Sequence, residues 1–447
     1  MKGMPDTLAG WINYQESLAP PDTIHLGLER MEALVGRMGW GPADPPALIV
    51  GGTNGKGSTV AFVESVLRQS GYRVGAYFSP HVTRYEERIR INGTDIAEAP
   101  LCRAFAAVEA MRGTLPLTFF EFGTAAALFA FREAALDCLV LEVGLGGRLD
   151  AVNAIDPIAS AVTTIGIDHV AWLGADRESI GREKAGIFRS RRPAIVGDAD
   201  PPQSLLNEAH RVGAELRLRG RDFDWSREGG GDHWTYRSLW GERRGLPPPA
   251  LRGTFQLGNA ATALALIDAI AREWPVTDGA VRNGLTRARL PGRYEWRETG
   301  RIRWCLDAAH NPAAAAILAR EFEGLTETRL VHALLGMLAD KDVEGFVREL
   351  GPSVDVWHPI GLPKPRGLTA SELSARVRSG LPCARIESVE CVDRLRELFL
   401  NWETAENAPV VIVTGSFRTL EQMLPLIEER SPPGGGSVRA EREQDCA

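Results

Sequence analysis

The sequence lacks the features that mark membrane, secreted and nucleic-acid-binding proteins. No apolar run approaches the ~20 residues that span a bilayer, and the first thirty residues lack a basic segment followed by an apolar core. The six cysteines are scattered without a C-x-x-C pair, which is typical of reduced thiols. A net charge of −7 and the lack of a basic block argue against nucleic acid. We therefore predict a cytoplasmic protein with small-molecule partners and neither a membrane nor a nucleic-acid partner.

A glycine-rich segment at residues 51–59, GGTNGKGST, has the features of a phosphate-binding loop. It follows the apolar run 47–50 and precedes a helical apolar pattern. In such loops the N–H groups and the helix N-terminus attract phosphate, and a lysine, here Lys56, adds positive charge. The match to G-x-x-x-x-G-K-[ST] is incomplete, because Gly57 follows the lysine and the first hydroxyl comes at Ser58. We predict a nucleotide site, with an ordinary glycine-rich turn as the alternative.

Polar residues come at the carboxyl ends of three further predicted strands. Ser79 and Glu142 end two of them, and His169 follows the predicted strand 159–165. Because parallel strands bring their carboxyl ends to one edge, where such folds bind ligands, we expect these residues beside the phosphate loop. Serine and glutamate oxygens favour a hard ion, so we predict Mg²⁺ bound with phosphate. An ion pair between Glu142 and Arg148 is the alternative.

Three other sequence features do not indicate a function when only the spacing of their residues is considered. Glu121 lies near a predicted helix start, either as a cap or as a ligand contact. Lys184 is predicted to be a solvated lysine on a helix. In residues 220–250, tryptophans alternate with polar residues, and this pattern predicts a short β-hairpin.

The chain length and the rhythm of strands and helices predict an α/β protein of two domains. At 447 residues the chain exceeds one ordinary core. Alternating strands and helices are typical of doubly wound, mainly parallel sheets. We predict a P-loop NTPase-like domain at 1–297, a smaller Rossmann-like α/β domain at 298–430, and a disordered tail at 431–447.

In this order, the motifs resemble the bacterial dihydrofolate synthase/folylpolyglutamate synthase family of the Mur ligase superfamily. The resemblance extends from about residue 20 to about residue 430. The matching segments are GTNGKGS (52–58), SPH (79–81), FE (120–121), LEVGLGGRLD (141–150), DH (168–169), REKAGI (182–187), LPGR (290–293) and DAAHNP (307–312). The glycine after Lys56, unusual in a generic P-loop, fits this family.

The resemblance implies an ATP-dependent ligase of folate biosynthesis. The carboxylate of 7,8-dihydropteroate, or the γ-carboxyl of a reduced folate, would attack the γ-phosphate of ATP, and L-glutamate would displace phosphate from the acyl phosphate. The alternatives are a folylpolyglutamate synthase with that activity alone, another Mur-type amino-acid ligase, and a P-loop kinase or nucleotide switch. We expect a monomer, and a potassium (K⁺) requirement stays open.

The resemblance also implies roles for individual residues. Lys56, Lys184 and His169 would serve catalysis, and Lys184 would be carboxylated to a carbamate. The implied ATP contacts are Thr53, Asn54, Gly55, Lys56, Gly57, Ser58, Asn259, Arg293 and Asp307. The implied substrate contacts are Thr118, Phe119, Phe120, Glu121, Leu149, Asp150, Ala151 and His310. The implied Mg²⁺ ligands are Ser79, Glu142 and His169. Because both domains contribute residues, domain closure would assemble the site.

Overall fold

The chain folds into two compact units, Met1–Leu290 and Pro291–Ala447. The structure, a computed structural model, describes residues 4–21, 24–229, 232–323 and 329–430. The predicted domain boundary after residue 297 falls inside the second unit, because Glu295–Thr299 pairs with Ile302–Leu306 in its sheet. The predicted tail at 431–447 lies outside the described residues.

The first unit contains a large sheet whose described strands have the order β4-β3-β2-β5-β1-β6-β7-β8. These strands are β1 (Ala47–Gly51), β2 (Val74–Tyr77), β3 (Ile89–Ile91), β4 (Thr94–Asp95), β5 (Cys138–Glu142), β6 (Pro157–Val162), β7 (Pro193–Val196) and β8 (Glu215–Leu218). From β2 to β8 the neighbouring strands are parallel, while β3 and β4 form an antiparallel edge. The predicted mainly parallel sheet is confirmed.

Helices cover both faces of this sheet. They are α1 (Leu8–Leu18), α2 (Glu29–Met38), α3 (Lys56–Gln69), α4 (Glu98–Arg112), α5 (Phe119–Glu133), α6 (Val170–Leu173), α7 (Arg177–Ala185), α8 (Gln203–Val212), α9 (Phe255–Ile270) and α10 (Asp278–Arg287), with 3₁₀ turns at Tyr85–Arg88 and Ala151–Ala154. Side chains alternate across a strand, so Ala47 and Ile49 join one apolar cluster while Leu48 and Val50 join another. Burial on both faces explains why β1 is a continuous apolar run.

A small antiparallel sheet follows β8. Its described strands are β9 (Phe223–Arg227), β10 (Trp234–Ser238) and β11 (Gly241–Leu246), in the order β11-β10-β9. The prediction of a hairpin is therefore wrong, because this segment forms three strands rather than two. The buried Trp234 and Tyr236 of β10 join the apolar cluster of α9, which attaches this sheet to the unit's core.

The second unit is a smaller α/β fold, as predicted. Its sheet has the order β12-β13-β16-β14-β15, with β12 antiparallel and the other described strands parallel. The strands are β12 (Glu295–Thr299), β13 (Ile302–Leu306), β14 (Val331–Leu335), β15 (Val356–Pro359) and β16 (Val410–Thr414). The helices are α11 (Pro312–Phe322), α12 (Val343–Leu350), α13 (Ala370–Gly380), α14 (Val392–Thr404) and α15 (Phe417–Glu428), with a 3₁₀ turn at Gly351–Ser353. Among the described residues, no helix is long and apolar enough to cross a membrane.

Candidate active site

The glycine-rich segment forms a tight turn between β1 and α3, as predicted. Gly55 precedes α3 with a left-handed φ of 87°, and this N-cap residue offers no side chain to cap the helix. The loop is fastened to the residues beyond β6. The N–H of Thr53 donates to the carbonyl of Thr164 at 2.7 Å, and Thr163 Oγ1 donates to the carbonyl of Asn54 at 2.6 Å. The helix N-terminus is thus held in one position, where its dipole favours an anion.

Two lysine side chains meet at this loop. The Nζ atom of Lys56 donates to the carbonyls of Gly52 and Thr53, at 3.1 Å each. The Nζ atom of Lys184, on α7, donates to the same Gly52 carbonyl at 2.9 Å. The prediction of a solvated Lys184 is wrong, because the residue is 4% exposed. Helix α7 packs against the turn after β5, where the N–H of Arg148 donates to the carbonyl of Glu183. This packing encloses the side chain of Lys184.

The pKa of Lys184 is lowered to about 7. Burial is the main cause, the positive charge of Lys56 adds to it, and Asp168 and Asp150 oppose it. A lysine with this pKa is about half neutral at neutral pH. Its amine can therefore act as a nucleophile, which an ordinary surface lysine rarely does.

Glu142 and Ser79 come together at the carboxyl edge of the sheet. The N–H of Ser79 donates to Glu142 Oε2 at 3.1 Å, and Glu142 is 3% exposed. A Cβ atom on Gly57 would lie 3.2 Å from Glu142 Oε2 and 3.0 Å from Leu290 Cδ2. The glycine after Lys56 therefore leaves room for this carboxylate. Arg148, the alternative partner predicted for Glu142, forms an ion pair with Glu183 at 2.8 Å.

His169 lies beyond β6, two strands from β5, at the start of the short helix α6. Its backbone is left-handed, with φ 52°, and its Nε2 lies 3.9 Å from Asp168 Oδ2. In the part of the chain that the structure describes, no group of three His, Cys, Asp or Glu residues is arranged to hold a metal. Of the three predicted Mg²⁺ ligands, Ser79 and Glu142 are therefore in contact, while His169 lies on a separate loop. Serine and carboxylate oxygens are hard donors, which fit Mg²⁺.

The predicted substrate segment at 118–121 is the first turn of α5. Thr118 and Glu121 form a capping box, and Glu121 also pairs with Arg30 of α2 at 2.8 Å. Glu121 therefore has both a capping role and an ion pair. Sequence reasoning missed Arg30, since nothing near it in the sequence signals a partner 91 positions away.

Aromatic and acidic side chains complete the surroundings of this segment. Phe120 lies over Gly144, where an added Cβ would be 2.5 Å from the ring. Asp150 accepts hydrogen bonds from the N–H groups of Leu145 and Val152. Burial raises the pKa of Asp150 to about 6, against the effect of those bonds. The two predicted substrate segments are thus ordered by their own hydrogen bonds.

Three predicted site residues belong to the second unit. Asp307, at the end of β13, is buried, and its oxygens accept hydrogen bonds from the N–H groups of Tyr294 and Ala309 at 2.8 Å each. Burial raises its pKa, while the charge of Arg293 opposes the rise. The Nδ1 atom of His310 lies 2.8 Å from the carbonyl of Ala308. Asp307 and His310 thus belong to an ordered turn between β13 and α11, while Arg293 precedes β12.

Comparisons with known proteins agree with these features. The chain matches the Mur ligase middle domain over residues 50–267 and the Mur ligase glutamate ligase domain over residues 292–417. It is 42% identical over 429 residues to the dihydrofolate synthase/folylpolyglutamate synthase of Escherichia coli (strain K12), covering 96% of this chain and 97% of that protein.

Solved structures agree over the same extent. E. coli FolC in complex with DHPP and ADP has a TM-score of 0.88 at 40% identity, covering 96% of this chain and all of that one. A bifunctional folylpolyglutamate synthase/dihydrofolate synthase with Mn, AMPPNP and L-glutamate bound has a TM-score of 0.84 at 40% identity, covering 95% of this chain and all of that one. This chain therefore belongs to the dihydrofolate synthase/folylpolyglutamate synthase family of ATP-dependent Mur-type ligases.

Proposed function

We propose that the chain joins L-glutamate to 7,8-dihydropteroate and to the γ-carboxyl of reduced folates. A carboxylate oxygen of the acceptor attacks the γ-phosphorus of ATP, and ADP leaves. The amine of L-glutamate then attacks the acyl carbon, loses a proton, and phosphate leaves as the amide forms. Support comes from 42% identity to an enzyme named for both activities and from relatives with ADP, DHPP or L-glutamate bound.

ATP is assigned to the phosphate loop, Thr53, Asn54, Gly55, Lys56, Gly57 and Ser58. The N-terminus of α3, whose N-cap residue is a glycine, and the ammonium of Lys56 support this assignment, because both favour phosphate oxygens. An anionic carboxylate that attacks an anionic triphosphate is repelled by it, and the positive charge of Lys56 offsets that repulsion. Asn259, Arg293 and Asp307 are proposed as further nucleotide contacts.

Gly55→Ala tests the shape of the loop. A Cβ at this position would lie 2.2 Å from Asn259 Oδ1, and the left-handed backbone would also be strained. We expect the KM for ATP to rise about tenfold, on the scale of one displaced hydrogen-bonding group. Gly71→Ala is the matched control, since Gly71 has a similar φ of 93° but no atom within 4 Å of the added Cβ. It should lose about 1–2 kcal/mol of stability and keep the KM for ATP; equal KM values in the two variants would contradict the prediction.

Magnesium is assigned to Ser79, Glu142 and His169. The buried contact between Ser79 and Glu142 supports the first two, because both side chains offer hard oxygen donors. When bound, Mg²⁺ would neutralise negative charge on the β- and γ-phosphates of ATP.

A potassium requirement is tested by replacing K⁺ with Na⁺ in the assay buffer.

Lys184 is proposed to be carboxylated. The neutral amine attacks the carbon of CO₂, an N–C bond forms, and one proton leaves to solvent, which turns a cation into a carbamate anion. Two observations support this. The side chain is buried beside Lys56, where a negative group is favoured over a second positive one, and its pKa of about 7 provides the neutral amine.

The acceptor is assigned to Thr118, Phe119, Phe120 and Glu121 and to Leu149, Asp150 and Ala151, and L-glutamate to the turn at His310. The half-buried ring of Phe120 supports a flat aromatic ligand, which gains from stacking. We further propose that the chain works as a monomer in the cytoplasm, where scattered cysteines without a C-x-x-C pair are typical.

Phosphate release tests the proposed function. Purified protein is given ATP, Mg²⁺ and L-glutamate with either 7,8-dihydropteroate or tetrahydrofolate, and reactions without L-glutamate serve as controls. We expect glutamate-dependent release with both acceptors. Release with tetrahydrofolate alone would leave a folylpolyglutamate synthase, and release that does not need L-glutamate would favour a kinase. Release with neither acceptor would favour another Mur-type ligase.

A further inference from the structure

Arg88 is a buried arginine that pairs with no carboxylate in the described part of the chain. It is 8% exposed, at the end of the 3₁₀ turn after β2. Its neighbours along the chain behave differently. Arg84 pairs with Asp95 at 3.0 Å, and Arg90, which is 9% exposed, pairs with Glu64 at 3.4 Å. Because a buried charge is costly without a counter-charge, Arg88 is suited to an anionic ligand.

The groups around Arg88 orient it without neutralising it. Its Nε donates to His81 Nδ1 at 2.7 Å, and the guanidinium lies over the rings of Tyr85 and Phe119, at 5.3 and 5.7 Å from their centroids. Its charge also acts on the buried hydroxyl of Tyr77, whose pKa is raised by burial against that effect. A guanidinium has five N–H donors, so these neutral neighbours leave donors for a ligand.

Arg88 lies between the two parts of the proposed site in the first unit. Its carbonyl accepts a hydrogen bond from the N–H of Phe78 at 2.8 Å, and the next residue, Ser79, contacts Glu142. On its other side is Phe119, in the proposed acceptor segment. The backbone of Arg88 thus lies beside the strand end that carries Ser79, and its guanidinium lies beside the proposed acceptor segment.

We infer that Arg88 binds the carboxylate of the acceptor that is to be phosphorylated, an inference that rests on the proposed function. The planar guanidinium can hold both carboxylate oxygens and so fix the plane of the group. When one oxygen forms its bond to the γ-phosphorus, the other remains hydrogen-bonded as the acyl carbonyl. That contact also polarises the carbonyl for attack by the amine of L-glutamate.

The experiment removes the carboxylate from the ligand and the guanidinium from the protein in a double-mutant cycle. Binding of pteroic acid and of its primary amide is measured by fluorescence titration, without turnover, to wild type and Arg88→Gln. We expect wild type to prefer the acid about 10- to 100-fold, the usual effect of a charged hydrogen-bonded pair, and Arg88→Gln to bind both equally. An acid preference that survives in Arg88→Gln, or that is absent from wild type, would overturn the inference.

Two further variants separate ligand binding from folding. Arg90→Gln, the matched buried arginine with its own carboxylate partners, should keep the wild-type preference for the acid. Arg88→Lys keeps the charge but loses the planar fork, so its preference should be intermediate, with the acceptor KM raised and the KM for ATP unchanged. If Arg88 only supports the aromatic cluster, Arg88→Lys will lose stability and keep the full preference. Because binding is measured without turnover, failure of this inference is distinguishable from failure of the proposed reaction.

Discussion

Lys184→Met should abolish ligation and leave the protein as stable as wild type or more stable. Methionine has nearly the same length and fills the same space, so no cavity forms. The Gly52 carbonyl keeps a donor, because Lys56 also binds it. Replacing a buried charge by an apolar group of similar size is often neutral or stabilising. Activity should fall by at least about 100-fold, since a preorganised charged group at the phosphoryl-transfer site is lost.

The pH dependence follows from the lowered pKa of Lys184, about 7 against an ordinary 10.5. Between pH 7 and 10.5 the unfolded chain binds more protons at this position than the folded chain, so this residue's contribution to stability rises with pH. Its burial penalty is fully present below pH 7, where Lys184→Met should gain most in Tm over wild type. Carboxylation needs the neutral amine, so wild-type activity should rise from pH 6 to pH 8.

Turnover, thermal unfolding at pH 6 and 8, and a ¹³C spectrum after labelling with ¹³CO₂ check these results. Arg182→Ala is the control, because Arg182 is exposed on the same helix; it should keep both activity and pH profile. Near-normal turnover of Lys184→Met would remove the carbamate assignment. A fall in Tm at both pH values would show instead that the lysine is needed for folding.

The positions in the fold that the sequence predicted correctly depend on local pattern. The phosphate loop is a contiguous segment between a buried strand and a helix, so its position follows from periodicity and glycine content. Ser79 and Glu142 were predicted to meet because parallel strands bring their carboxyl ends to one edge, and the structure places them in contact. The resemblance to a known family supplied the reaction, which spacing does not encode.

The parts that spacing missed depend on contacts between distant segments. The burial of Lys184 comes from the packing of α7 against the loops after β1 and β5, and α7 by itself has the composition of a solvated helix. The ion pair between Glu121 and Arg30 joins helices α5 and α2. Arg88 is likewise buried by a tertiary contact, between the 3₁₀ turn after β2 and helix α5. The boundary between the compact units falls after residue 290 rather than after residue 297, because β12 pairs with β13 in the sheet of the second unit. This pairing is also a tertiary contact.

Glu142→Gln should raise the Mg²⁺ concentration needed for half-maximal activity by at least about tenfold, with a matching loss of activity at low Mg²⁺. The amide has the same shape, and its oxygen can still accept the hydrogen bond from the Ser79 N–H, so the fold should be retained. What is lost is the negative charge, and a neutral amide is a much weaker ligand for a hard divalent cation.

Glu64→Gln is the matched control for this variant. Glu64 is also a buried glutamate, 3% exposed on α3, but its carboxylate pairs with Arg90. We expect it to lower the Tm, because Arg90 loses a charged partner, while the Mg²⁺ titration stays that of wild type. Titrations of initial rate against free Mg²⁺ at saturating ATP compare the two variants. An unchanged titration in Glu142→Gln would contradict the assignment of Glu142 as a metal ligand.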